Sequence, residues 1–173
     1  MTDCCTHAIE LCLRYERVKE CQFTPYTYIS VPMTMHKLDI EFTYIEQDTQ
    51  QWVGEYQFIN TRVWDSARRL EPGMYRAGSM MCLSFGYSKP LEIMHGGAIL
   101  LDDTTAYQTI LRQRSDGRDL SISPWQEQQE FEVGYHYRPT IEDAVKGLEM
   151  LPTIKPQSQY VAYPDCRKIH IKT

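Results

Sequence analysis

A chain of 173 residues, 42% apolar and 24% charged, has the length and make-up of one globular domain that can bury a core without staples. Its formal net charge of -5 argues against a general nucleic-acid binder, which needs a basic face to release counterions from phosphate. No stretch approaches the ~18 apolar residues of a membrane span, and Met1 to Cys5 shows no basic region leading into an apolar run, so a cytoplasmic address without membrane contact is expected.

In chain order, Cys5, Ile9, Cys12, Leu13 and Val18 recur at helical spacing and predict an amphipathic opening helix within an N-terminal extension of residues 1–35, closed by Thr24-Pro25. Leu38, Ile40, Phe42 and Tyr44 alternate with polar residues as in a half-buried strand, and Trp52 to Phe58 repeats the pattern. After the turn signal Glu71-Pro72-Gly73, the stretch Met74 to Phe85 reads as a further strand. Ala98 to Arg114 reads as the longest helix, preceded by Gly96-Gly97 and stopped at Asp116-Gly117. Phe131, Val133, Tyr135 and Tyr137 alternate again up to Pro139. A short helical pattern runs on to Leu151, and strand is expected around Tyr160 and from Ile169 to Ile171. The order predicts a single α+β domain over 1–173 with an antiparallel sheet.

Six cysteines, at 4, 5, 12, 21, 82 and 166, form no C-x-x-C pair and no grouping with histidine suited to zinc, so neither a metal nor a cofactor is indicated. They read as free thiols of a reducing compartment. Arg68-Arg69 and the run Arg112 to Arg118 could touch an anionic ligand, but clusters of this length usually belong to solvated surface.

On a helical wheel, Asp103 falls among Ile99, Ala106, Tyr107, Ile110 and Leu111, with Asp102 at the polar edge. A carboxylate on an apolar face costs several kcal/mol unless paired or protonated, which marks Asp103 as a candidate acid or base, against the alternative of a structural hydrogen-bond acceptor. Gly96-Gly97 ahead of that helix would leave backbone N–H groups free for a carbonyl oxygen gaining charge, and His95 could orient that carbonyl or exchange a proton.

The run Met94-His95-Gly96-Gly97-Ala98-Ile99 with Asp102-Asp103, flanked by Met81 to Gly86 and by Tyr137-Arg138-Pro139, resembles the His-Gly-Gly segment and neighbouring strands of hotdog-fold acyl-CoA thioesterases of the PaaI-like group. The resemblance implies a curved antiparallel sheet around a long central helix, about residues 98–115, assembled as a homodimer or homotetramer. It assigns Gly97 as oxyanion donor, Asp103 as base or nucleophile and His95 as carbonyl partner. Gly96, Asp102, Tyr107, Tyr137 and Arg138 would contact the substrate. The family's acid usually lies nine residues beyond the histidine, here Thr104, so Asp103 requires a one-residue shift. Hydrolysis of a small acyl or carbonyl substrate is the leading expectation. A non-hydrolytic dehydratase, isomerase or cyclase and a non-catalytic binding protein are the alternatives.

Overall fold

The computed structural model describes residues 1–46, 54–154 and 163–172. Helix α1 (Cys5–Tyr15) lies within the span that the periodicity predicts but ends before Val18, and Cys5, Ala8, Ile9, Leu11, Cys12 and Leu13 are all buried, as is Glu10. Its apolar side belongs inside a core, with Thr6, His7, Glu10 and Arg14 on the remaining face, and α1 packs against strands β4 (Val63–Asp65), β5 (Met80–Ser84) and β6 (Gly97–Leu100) and helix α3 (Thr104–Gln113). Arg17 takes φ 53 and turns the chain into β1 (Glu20–Phe23), whose alternation buries Cys21 and Phe23. Helix α2 (Ser30–Lys37) then carries the chain to β2 (Glu41–Tyr44), which pairs parallel to β1 from Glu20↔Glu41 to Phe23↔Tyr44. A parallel pair requires such a crossover.

The larger sheet has the order β3-β4-β5-β6, where β3 is Tyr56–Gln57. β4 pairs parallel to β5, and β3 and β6 are antiparallel to their neighbours. Phe23, fully buried, joins the two sheets through ring contacts with Phe42, Tyr44, Tyr56 and Phe58. Among the described residues no helix is long and apolar enough to cross a membrane.

This architecture overturns the hotdog expectation. Gly97–Leu100 is strand rather than helix, α3 has ten residues, and both sheets contain parallel pairs. The four-residue apolar run Gly97 to Leu100 fits either element by composition, and a pairing partner decides it: β5 takes it from Ser84↔Gly97 to Met81↔Leu100. The strand expected over Phe131 to Tyr137 reduces to one bridge, His136 to Ser115, with Val133 79% exposed while Tyr135 and Tyr137 pack against the core. Ile169 to Ile171 is not strand, and the expectations at Trp52 and Tyr160 lie outside the described residues.

Helix α4 (Ile141–Met150) is capped by Thr140, whose hydroxyl accepts from the Asp143 amide at 3.1 Å. A methyl added at Gly147 meets only Ile93 Cδ1 at 3.6 Å, an ordinary contact. Gly147→Ala should stabilise the chain by about 0.5–1 kcal/mol by restricting the unfolded backbone. Urea denaturation checks this, and a lower midpoint would contradict it.

Candidate functional site

Between His95 and Asp103, the amides of Gly96 and Gly97 and the carboxylates of Asp102 and Asp103 are engaged in holding the fold. The amides of Gly96 and Gly97 donate to the Asp3 carbonyl at 2.8 Å and the Thr2 carbonyl at 2.9 Å, so the N–H assigned to an oxyanion is already committed. His95 is exposed. Asp103 is the N-cap of α3, accepting from the Ala106 amide at 3.0 Å, with Arg62 Nη1 at 3.5 Å. The Ala106 N–H, with smaller help from Arg62, holds the Asp103 carboxyl below its usual range. Asp102 is exposed and accepts from the Gly78 amide at 3.0 Å, which likewise lowers its carboxyl. Asp103→Ala should therefore lower the melting temperature through loss of the cap. An unchanged melting temperature would oppose the capping role.

Tyr107 is 54% exposed and lines a shallow cleft with Ile99, Ile110 and Arg114. Tyr137 belongs to another network. Its hydroxyl donates to buried Glu10 at 3.2 Å and accepts from Lys37 at 3.0 Å, and its ring stacks on His7 at 3.6 Å. Burial alone would raise the Glu10 carboxyl, but Lys37 and Arg14 overcome it and leave the carboxyl below its ordinary value. Arg138 faces Asp116 at 3.8 Å. Asp3, Cys4 and His7, which the spacing did not group, place candidate ligand atoms within 4.8 Å of one another, with His7 Nδ1 already bonded to Asp3 at 2.7 Å.

A different cavity, of about 430 Å³, opens at the carboxyl ends of parallel β4 and β5, the edge at which α/β sheets ordinarily bind ligands. Asp65 ends β4 and Ser84 ends β5, and both line it. Thr6 and Ser30, in the first turns of α1 and α2, stand on another wall with their hydroxyls 2.8 Å apart. No side chain caps α2, whose Val31 amide donates to the Tyr28 carbonyl at 2.9 Å, while Cys4 caps α1, so the hydroxyls of Thr6 and Ser30 are the polar groups that these two helix starts bring to the cavity. Lys89 follows β5 on a tight turn closed by its amide to the Gly86 carbonyl at 3.3 Å, with Ser88 at φ 60. Its Nζ donates to the Tyr163 hydroxyl at 2.8 Å, and Tyr28 presents its ring beside Tyr163.

Asp65 is the buried acid of this site. Its carboxylate accepts from the Ala67 amide at 2.9 Å and the Tyr56 hydroxyl at 3.0 Å, and Tyr56 in turn shares a 2.6 Å hydrogen bond with Thr27. Burial pushes the Asp65 carboxyl up, and these donors with the charges of Lys89 and Arg68 offset only part of the rise. The same burial raises the Tyr56 hydroxyl and the Cys5 thiol, which fits a tyrosine acting as donor and an unreactive cysteine. A primary amine, a fixed carboxylate, an exposed aromatic face and the paired hydroxyls of Thr6 and Ser30 thus surround one cavity. That set suits a phosphorylated pyridine aldehyde, which takes a lysine, an acidic partner at its ring nitrogen and an anion site for its phosphate.

No protein-family model and no curated protein matches the sequence. The fold nevertheless is that of pyridoxal phosphate (PLP)-dependent aminotransferases. The chain superposes on a putative PLP-dependent aminotransferase from Bacillus cereus with TM-score 0.71 and 15% identity, over 88% of this chain and 52% of that one. PseC from Helicobacter pylori, an aminotransferase involved in the biosynthesis of pseudoaminic acid, aligns with TM-score 0.69 and 16% identity over 88% and 52%. The sugar aminotransferase CalS13 from Micromonospora echinospora aligns with TM-score 0.63 and 15% identity over 88% and 56%. The chain spans about half the length of these structures. These likenesses correct the thioesterase reading together with the hotdog fold on which it rested.

Lys89, Asp65, Thr6, Ser30 and Tyr28 lie outside the sites expected from the sequence. Asp65 alone carried a local signal, an acid closing the alternating run Val63-Trp64-Asp65 ahead of Ser66.

Proposed function

We propose that the chain is the cofactor-holding part of a PLP-dependent aminotransferase acting on a small keto-sugar substrate. The observation that carries this reading is the convergence of the Lys89 amine and the buried Asp65 carboxylate on one cavity at the ends of two parallel strands. The sugar substrate is supported by the likeness to PseC, an aminotransferase involved in the biosynthesis of pseudoaminic acid, and to the sugar aminotransferase CalS13.

Bound PLP supplies an electron sink that allows an amino group to pass between a donor and a carbonyl carbon. Lys89 would hold the aldehyde carbon through Nζ and, once released, carry protons at that atom. Asp65, fixed by Tyr56 and Ala67, would keep a negative charge toward the ring nitrogen. Thr6 and Ser30 would take the phosphate through their hydroxyls. Tyr28 offers a face for the ring.

Titrating the purified chain with PLP tests the reading. A saturable visible absorption band is expected, and borohydride reduction followed by peptide mass mapping should fix the cofactor on Lys89. Reduced cofactor scattered over surface lysines would remove the proposal. Amino transfer from an amino-acid donor to a nucleotide-linked keto sugar is the activity assay.

A further inference from the structure

The start of α1 gathers three unlike metal ligands that the function proposed above does not use. Asp3 precedes the helix, Cys4 is its N-cap and His7 stands three residues on, and one ligand atom of each lies within 4.8 Å of the others. Residues three and four apart share a helix face, which is why Cys4 and Asp3 both meet His7. Cys4 Sγ accepts from the His7 amide at 3.4 Å, and His7 Nδ1 faces both Asp3 carboxylate oxygens, at 2.7 and 2.9 Å. Their frame is fixed. The Asp3 amide donates to the Tyr137 carbonyl at 2.9 Å, the Asp3 carbonyl accepts from the Gly96 amide at 2.8 Å, and the Thr2 hydroxyl donates to the Cys4 carbonyl at 2.9 Å. The His7 ring lies flat on Tyr137, with centroids 3.6 Å apart and planes 7° from parallel, and Glu10 and Lys37 tie the Tyr137 hydroxyl. All three ligand residues stay partly exposed, whereas the other five cysteines are buried, so Cys4 is the thiol that a hydrated ion can reach.

A thiolate, an imidazole and one carboxylate form a borderline-soft set that selects a zinc-class ion over magnesium or calcium. A tetrahedral ion at ~2.0–2.3 Å from each ligand needs those atoms about 3.3–3.5 Å apart, so rotations of half-exposed side chains by about an ångström open the His7–Asp3 pair and bring Cys4 in. The charges match. A carboxylate and a thiolate neutralise a divalent ion, and the neighbouring cations Arg14 and Lys37 are already held by Glu10. We propose that Asp3, Cys4 and His7 form a binding site for a zinc-class divalent ion, with water in the fourth coordination position. On binding, the S–H bond of Cys4 gives way to an S–metal bond and its proton passes to the buffer, while the imidazole carries its proton on Nε2 so that Nδ1 ligates. Of the three only Cys4 also lines the cavity of Lys89 and Asp65, and the site stands whether or not PLP binds there.

Cobalt(II) takes the same ligands as zinc and reports on them by its spectrum. Titrating the reduced, PLP-free chain with Co²⁺ should give a saturable one-to-one complex with a near-ultraviolet thiolate charge-transfer band and the strong visible bands of four-coordinate cobalt, all bleached by stoichiometric Zn²⁺. Cys4→Ser keeps an N-cap oxygen and with it the helix, but should lose the charge-transfer band and weaken Co²⁺ binding by more than about 100-fold. Asp3→Asn and His7→Gln should each weaken binding by about 10- to 100-fold and keep the thiolate band at saturating cobalt. His36→Gln, at an exposed histidine of α2, should match the parent. Absence of a saturable complex in the parent, a charge-transfer band that survives Cys4→Ser, or equal affinity in the parent and all three ligand variants would overturn the proposal.

Discussion

Lys89→Ala should abolish fixation of PLP by borohydride and lower amino transfer by about 100- to 10,000-fold, the range lost when a positioned proton carrier is removed. The loss follows from geometry. Lys89 is half-buried on the turn after β5, and its amine faces the cavity it shares with Asp65 and Tyr28. The fold should survive, since the side chain takes no part in either apolar core cluster. Lys89→Arg separates charge from chemistry: it keeps a cation beside Tyr163 and Asp65 but offers no amine able to add to an aldehyde. Both variants are expected to lose the visible band, and the arginine variant should retain weak, dialysable PLP. A borohydride-stable cofactor on Lys89→Ala at the parent's stoichiometry would end the aminotransferase reading.

Gly97→Ala should cost about 1–3 kcal/mol in stability, the range for overpacking a close-packed interior. A Cβ there would stand 2.7 Å from Cys4 C and Cys5 N and 2.8 Å from the Leu83 carbonyl oxygen. All three are backbone atoms of paired or helical segments, so no side-chain rotation relieves the contact. The start of α1 must move away from β6, and Thr6 moves with it. A lower urea midpoint together with weaker PLP binding is therefore expected. The opposite sign at Gly147→Ala makes the pair of glycines a controlled comparison. An unchanged midpoint for Gly97→Ala would mean that β6 and the segment leading into α1 are less tightly joined than the 2.8 and 2.9 Å hydrogen bonds of Gly96 and Gly97 to Asp3 and Thr2 imply.

The same glycine shows how far the sequence could be read. His95-Gly96-Gly97 signals close backbone approach, and close approach is what the structure contains. The partner, however, is the N-terminal segment Thr2 to Cys5 rather than a thioester carbonyl. Asp103 stands before Thr104-Thr105 as a helix cap should, but extending the helical wheel back through Ala98 turned a cap into an acid on an apolar face. Arg68-Arg69 reads as solvated charge because composition carries no information on which strand end a basic pair will follow. In the fold, Arg68 is buried against Tyr163.

The sequence by itself determined the local elements whose apolar spacing is strong, namely α1, β2, β5 and α4, because periods of 3.6 and 2 report on the backbone that carries them. It also determined the free-thiol chemistry of the six cysteines. Only the tertiary structure decided that Gly97 to Leu100 is a strand and that β4 lies parallel to β5. It alone brought Thr6, Tyr28, Asp65, Arg68, Lys89 and Tyr163 around one cavity. These residues span nearly the whole chain, and their meeting depends on long-range pairing energies that no local period encodes.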